Sequence, residues 1–149
     1  ISFEGRFQYL KSGKIKNKLH KNEQILLDGA HAEADAKNLA DYLKNIKVPK
    51  YAIWAMMKNK EPNLFIKQFK GIFKKIITIP IENEKNCMSA KDLESIGKKN
   101  HFNVDKANNF KVAFVLHRCT CTMFGCALSY HSSISIRIFG QLISGRTSK

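Results

Sequence analysis

The chain has 149 residues, enough for one domain with its own hydrophobic core. Its 44% hydrophobic and 26% charged residues are ordinary for a soluble globular domain, and no apolar run reaches the roughly 18 residues that a membrane helix needs. The net charge of +14 attracts polyanions and suits a phosphate-bearing substrate equally well, so charge alone does not separate a nucleic-acid-binding protein from an enzyme.

The start of the chain and its cysteines predict a cytoplasmic protein. Ile1-Ser2-Phe3-Glu4 has neither the basic nor the apolar region of a secretion signal. It also lacks a Met, so we expect a fragment of something longer. The four cysteines all lie in the second half of the chain, and their spacing is not that of a disulfide-rich domain. This argues against a disulfide scaffold and for a reducing compartment.

The first 22 residues contain one notable cation and no phosphate loop. Residues 1–10 form a short strand or an extended lead-in, and Arg6 follows Gly5. A guanidinium binds phosphate through two parallel hydrogen bonds, which makes Arg6 a candidate phosphate ligand. The simpler alternative is a surface arginine paired with a carboxylate. Residues 11–22 form a basic connector. Its Gly13-Lys14 pair lacks the other residues of a P-loop, and no P-loop occurs in the chain.

The stretch Gln24 to Ala36 organises the chain. Its apolar run at residues 25–27 predicts a strand buried on both faces, which ends at Asp28 before a turn and a helix. Ligands of α/β proteins collect at the carboxyl ends of strands, so Asp28 and His31 are candidate binding residues. The structural alternatives are a helix N-cap for Asp28 and a partly buried neutral imidazole for His31.

The rest of the first 110 residues alternates strands and helices. Strands are predicted at 51–57, 76–79 and 101–104, and helices from Pro62 and from the N-cap Ser89, with Asp92 in a capping-box position. The predicted apolar face of the first of these helices comprises Leu64, Phe65, Phe69, Ile72 and Phe73. The pattern predicts a three-layer αβα sandwich with a mostly parallel, Rossmann-like sheet. No glycine-rich dinucleotide fingerprint accompanies it, so NAD is not expected.

Two motifs carry a family resemblance. Leu27-Asp28-Gly29-Ala30-His31 resembles the Asp-Gly-Ala-His-Asn signature of the folylpolyglutamate synthase and dihydrofolate synthase family, ATP-dependent amide ligases related to the Mur ligases. Residues 3–8 resemble the Trp-Pro-Gly-Arg-Phe/Leu-Gln segment that precedes it. The likeness concerns the family's C-terminal domain and extends to about residue 110. It implies a Mur-ligase C-terminal fold, with Arg6 reaching the ATP phosphates and Asp28 and His31 near nucleotide and substrate.

The resemblance also implies partners and an incomplete site. ATP, Mg²⁺, glutamate and folate are the family's reactants and cofactor, and an acyl phosphate of the folate carboxylate is attacked by the glutamate amine. The P-loop and magnesium ligands lie in a preceding domain that this chain lacks, so we expect no turnover by the chain alone. Ala32 stands where the family has asparagine, Glu4 where proline is usual, and Lys58-Asn59-Lys60 departs from Lys-Asp-Lys.

Residues 111–149 differ in character from the predicted domain at 1–110. They hold no acidic residue, and only a predicted last strand at 134–140 resembles the family. Our hypothesis is that part of this tail is read out of frame in a truncated or decaying gene. The rival is a zinc site, although the Cys-x-Cys spacing is poor and no metal site is expected; its residues would be His117, Cys119, Cys121, Cys126 and His131.

A second interpretation of the whole chain stays open. It is a small basic α/β module that binds nucleic acid or another polyanion without catalysis. Binding to heparin that weakens steeply with salt, without any response to ATP, would favour it. A third is a product with no selected role.

Overall fold

The computed structural model describes residues 7–19, 21, 23–123 and 135–140, excluding the side chains of 117–123 and 135–140. The strands are Gln8–Tyr9 (β1), Glu23–Asp28 (β2), Lys50–Trp54 (β3), Lys75–Thr78 (β4), Val104–Lys106 (β5) and Ser135–Gly140 (β6). The helices are Glu33–Lys44 (α1), Pro62–Lys67 (α2), Ala90–Lys99 (α3) and Phe110–Met123 (α4), with a short 3₁₀ turn at Lys16–Lys18. Within these ranges no helix is both long and apolar enough to cross a bilayer.

The six strands form one sheet in the order β1-β2-β6-β3-β4-β5. Only β1 runs antiparallel to its neighbour, and the other four pairings are parallel. The sixth strand therefore lies between the second and the third, which places both of its neighbours more than 80 residues away in sequence. The predicted α/β class with a mostly parallel sheet is confirmed.

Two hydrophobic clusters, one on each face of the sheet, make the fold three-layered. Leu26 of β2 packs with Leu39 of α1, Phe69 and Leu93 of α3. The next residue back, Ile25, points to the other face and packs with Ala113 and Phe114 of α4. Both Ile25 and Leu26 are fully buried, so the predicted strand with two buried faces is confirmed.

The helix that starts at Pro62 is shorter than its apolar pattern suggested. It ends at Lys67, and the chain turns through Gly71, whose φ of +76° is a conformation that side-chain-bearing residues rarely adopt. Phe65 and Phe69 are buried as predicted. Leu64 is 37% exposed, so its assignment to the buried face was wrong.

Three strand boundaries also differ from the predicted ones. The third strand begins at Lys50 and ends at Trp54, because the chain leaves the sheet there and Met57 instead bridges to Cys87. The fourth covers residues 75–78 rather than 76–79. The fifth begins at Val104 rather than at residue 101, because His101 lies in the left-handed region at φ +64° while α3 terminates.

The third helix begins as predicted. The Ser89 hydroxyl oxygen accepts the Asp92 amide hydrogen at 3.1 Å, and the same hydroxyl donates to the Asp92 carboxylate at 2.7 Å. This reciprocal contact confirms Ser89 as the N-cap. The division of the chain at residue 110 stays a prediction, although Ala113 and Phe114, just beyond it, are buried under the sheet.

Candidate functional site

The candidate site lies at the carboxyl edge of the sheet, where β2 and β6 end side by side. Asp28 and Gly140, the last residues of these two strands, are paired in register. The helix that follows β2 covers one face of the sheet, and the helix that precedes β6 covers the other. Ligands of open α/β sheets bind outside the carboxyl ends of the strands, so this edge is where a binding site is expected.

Asp28 holds the loop together with both carboxylate oxygens. Its Oδ1 accepts the amide hydrogen of Ala30 at 2.7 Å, and its Oδ2 accepts that of Phe7 at 2.8 Å. The side chain is only 4% exposed. Asp28 is not the N-cap of α1, because that position belongs to Ala32. Among the described residues neither carboxylate oxygen accepts a second hydrogen bond, so each has a lone pair for one more.

His31 is fixed in one orientation by its own loop. Its Nδ1 lies 3.0 Å from the carbonyl oxygen of Gly29. A carbonyl oxygen only accepts, so Nδ1 donates and Nε2 is the nitrogen left for a ligand. The imidazole is half-buried. Asp28 and His31 therefore belong to one four-residue loop whose geometry is set by backbone contacts.

The start of α1 adds amide groups and negative charge to the same edge. Ala32 is an N-cap without a side-chain hydrogen bond, and the first turn carries Glu33 and Asp35. Uncapped amides at a helix start attract anions, whereas the two carboxylates oppose an anion placed directly on the helix axis. The side chain of Glu33 is held by Gln68, whose side-chain amide donates a hydrogen bond to Oε1 of Glu33 at 3.1 Å.

The loops after β3 and β4 are hydrogen-bonded to each other at the carboxyl edge of the sheet. The Lys58 amide donates to the Asn86 carbonyl and the Met88 amide to the Met56 carbonyl, both at 2.8 Å. Lys58 itself is exposed. The sequence does not predict this pairing, because it joins residues about 30 positions apart and the only local signal is the length of the second loop.

A cavity lined in part by Asp28 is a second feature that the sequence does not predict. Trp54, at the end of β3, lines it together with Asp28, Ala30 and Phe65. The indole is 3% exposed and stacks on Phe65 with ring centroids 6.1 Å apart. Its Nε1 has no hydrogen-bond partner among the described residues. The single tryptophan of the chain, at a strand end, was the available signal.

The structure brings together two of the three predicted site residues. Asp28 and His31 share the loop, whereas Arg6 lies outside the described residues. Its neighbour Phe7 is the residue whose amide Asp28 accepts. The side chains of the rival zinc site also lie outside the described part. Among the side chains that are described, no three metal-binding groups come together.

Comparison with known proteins gives a likeness of fold. No family model matches the chain. No curated protein matches it either. Solved structures do match. A Mycobacterium tuberculosis folylpolyglutamate synthase complexed with ADP and AMPPCP has a TM-score of 0.75 at 15% identity over 95% of this chain and 30% of its own.

Two further solved structures agree. Escherichia coli FolC in complex with DHPP and ADP has a TM-score of 0.64 at 16% identity, over 93% of this chain and 28% of its own. A bifunctional folylpolyglutamate synthase/dihydrofolate synthase with Mn, AMPPNP and L-glutamate bound has a TM-score of 0.65 at 16% identity, over 93% and 29%. The chain thus spans less than a third of the length of these proteins.

Proposed function

We propose that this chain is the C-terminal domain of an ATP-dependent amide ligase of the folylpolyglutamate synthase and dihydrofolate synthase class. The observation that carries the proposal is the coincidence of two features. The chain resembles those enzymes in fold over nearly its whole length, and its signature-like loop from Asp28 to His31 lies at the carboxyl edge of the sheet, beside the end of β6.

The loop offers two kinds of ligand contact. Asp28 has lone pairs to accept hydrogen bonds from a ribose hydroxyl or a water molecule, while its bonds to Phe7 and Ala30 keep it in place. The Nε2 of His31 is available to a phosphate or carboxylate when the ring is protonated. Arg6 would neutralise charge on the triphosphate, since it adjoins Phe7 in sequence.

The proposed reaction forms one amide bond. ATP transfers its γ-phosphoryl group to the folate carboxylate and leaves as ADP. The glutamate amine then attacks the acyl carbon, phosphate departs with the bonding electrons, and the amine loses a proton. Positioning and charge neutralisation supply most of such catalysis. In this reaction the chain would bind and orient the nucleotide and the amino acid.

We propose further that the chain does not turn over alone and that it works in the cytoplasm. The Mg²⁺ ion and the P-loop belong to a preceding domain in this class. The alternative, that the whole chain is a nucleic-acid module without catalysis, is not favoured by the solved structures that it resembles.

Nucleotide binding tests the site. AMPPNP is titrated into the ¹⁵N-labelled chain and amide chemical shifts are followed. We expect the largest shifts at Phe7 and at residues 29–31. The variant His31→Ala should lose most of the response, and Lys91→Ala, exposed on α3, should keep it. Shifts concentrated elsewhere, or none at these amides, would contradict the proposal.

Turnover tests the division of labour. The purified chain, incubated with ATP, Mg²⁺, glutamate and a folate, should incorporate no glutamate. The same chain fused behind the remaining part of Escherichia coli FolC should do so, and His31→Ala should reduce the rate of the fusion. Incorporation by the isolated chain would show that the site is complete without a partner domain.

A further inference from the structure

The edge of the sheet opposite the candidate site carries a concentration of lysines that the proposed function does not use. The β1 strand runs antiparallel to β2, so the basic connector after it descends to the amino edge. Lys16 marks this position, because its Nζ donates to the carbonyl oxygen of Glu23, the first residue of β2, at 3.3 Å.

Two crossover turns bring further lysines to the same edge. Lys47 precedes β3, and Lys74 precedes β4. The Lys74 amide donates to the Lys50 carbonyl at 2.8 Å, which ties the two turns together. Lys50 is nearly buried, and its Nζ donates to the carbonyl oxygens of Ile46 and Val48. Burial and, secondarily, the charge of Lys47 lower the pKa of Lys50.

We define the basic edge as the lysines of this region that pair with no carboxylate among the described residues: Lys11, Lys14, Lys16, Lys21, Lys47 and Lys74. Five of the six are exposed and Lys16 is half-buried. The exposed carboxylates of Asp41 and Asp105 are already paired, with Lys44 at 2.9 Å and with Lys75 at 2.6 Å, and Glu23, the acidic first residue of β2, is buried.

Charge is thus separated along the strand direction. The opposite, carboxyl edge carries the acidic residues of helix starts and long loops, namely Glu33, Asp35, Glu82, Glu84 and Asp92. Exposed lysines also lie near the carboxyl edge, among them Lys58, Lys85 and Lys91, but there the acidic residues offset their charge. A one-sided field of this kind attracts and orients a polyanion.

We propose that the basic edge binds the phosphate backbone of a double-stranded nucleic acid without reading its sequence. The lysines extend from β2 to β4, three strand spacings or about 14 Å, which is the length of about four base pairs. Lysine supplies point charges suited to phosphate, whereas base readout needs side chains placed in a groove. Because this edge is opposite the candidate site, the proposal is independent of the ligase proposal.

A matched pair of triple variants tests the location. Lys14, Lys47 and Lys74 are changed to Gln in one, and Lys37, Lys85 and Lys91, all exposed near the carboxyl edge, in the other. The two proteins have the same net charge. Binding to a labelled duplex of about 20 base pairs is measured by fluorescence anisotropy over a series of salt concentrations.

We expect the wild type to bind with a steep inverse dependence on salt. The basic-edge variant should lower the slope of log K against log salt by about 2.7, or about 0.9 for each lysine, and the carboxyl-edge variant should leave it nearly unchanged. Equal losses in the two variants, no binding by the wild type, or tighter binding to phosphatidylserine vesicles than to the duplex would overturn the proposal. Unchanged thermal unfolding of both variants establishes that the fold is intact.

Discussion

The carboxylate of Asp28 accepts the amide hydrogen of Phe7 at 2.8 Å across 21 residues of sequence. Phe7 has a φ of +47°, in the left-handed region that a phenylalanine rarely occupies. The buried carboxylate therefore holds a strained residue at the edge of the site. The residue proposed to meet the nucleotide is also the residue that fastens the N-terminal segment to the sheet.

Replacing Asp28 should destabilise the chain even without ligand. Asp28→Asn exchanges one acceptor oxygen for a donor, which leaves the amide of Phe7 or of Ala30 without its partner. We expect a loss of about 1–3 kcal/mol in the free energy of unfolding, measured by urea denaturation. The control, Asp41→Asn, breaks an exposed ion pair and should cost less than about 1 kcal/mol. Equal losses in the two variants would show that the Asp28 hydrogen bonds contribute no more than an exposed ion pair.

Gly97 is required by a close approach between α3 and β5. A Cβ at this position would lie 2.6 Å from Cγ2 of Val104. Gly97→Ala gains about 1 kcal/mol of helix propensity but overpacks the contact by about 1–3 kcal/mol, so we expect net destabilisation. In the background Val104→Ala the same change should become neutral or stabilising. A double-mutant cycle without coupling would contradict this explanation.

Phe69 lies on the buried side of the α2 region, and Leu64 lies on its exposed side. Phe69 is 2% exposed and its ring lies 5.2 Å from that of Phe65. Phe69→Ala should lower the free energy of unfolding by about 3–5 kcal/mol, because it leaves a cavity. Leu64→Ala should cost about 1 kcal/mol or less, because Leu64 is 37% exposed. Comparable losses in the free energy of unfolding of the two variants would show that Leu64 belongs to the buried face.

Glu94 should contribute to acid sensitivity. It accepts hydrogen bonds from Lys98 at 2.7 Å and Lys106 at 3.0 Å, and these lower its pKa from the ordinary 4.5. The folded state therefore favours the ionised form. Its contribution to stability is complete above pH 4.5 and is lost as the pH falls through the lowered pKa, because the unfolded chain then binds more protons.

Urea midpoints measured from neutral pH downwards test this contribution. Glu94→Gln should flatten the loss below pH 4.5, and Lys106→Gln, which removes one of the two donors, should flatten it in part. High salt should weaken the difference between wild type and variants, since both lysines are more than half exposed. Identical acid profiles for wild type and Glu94→Gln would exclude the assignment.

Local patterns in the sequence determined the elements nearest to the site. The apolar run before Asp28 predicted a doubly buried strand, the turn after it was followed by a predicted helix where α1 lies, and Ser89 predicted the start of α3. Each of these signals acts within a few residues, through side-chain direction, turn conformation or capping, so it is legible without knowledge of the rest of the chain.

The tertiary structure decided what joins distant residues. The insertion of β6 between β2 and β3, the bond from Phe7 to Asp28, the contact between Gly97 and Val104 and the gathering of lysines at one edge all depend on strand order. Strand order follows from which apolar faces can be covered together and from the handedness of the crossovers, and no short window of sequence contains that information.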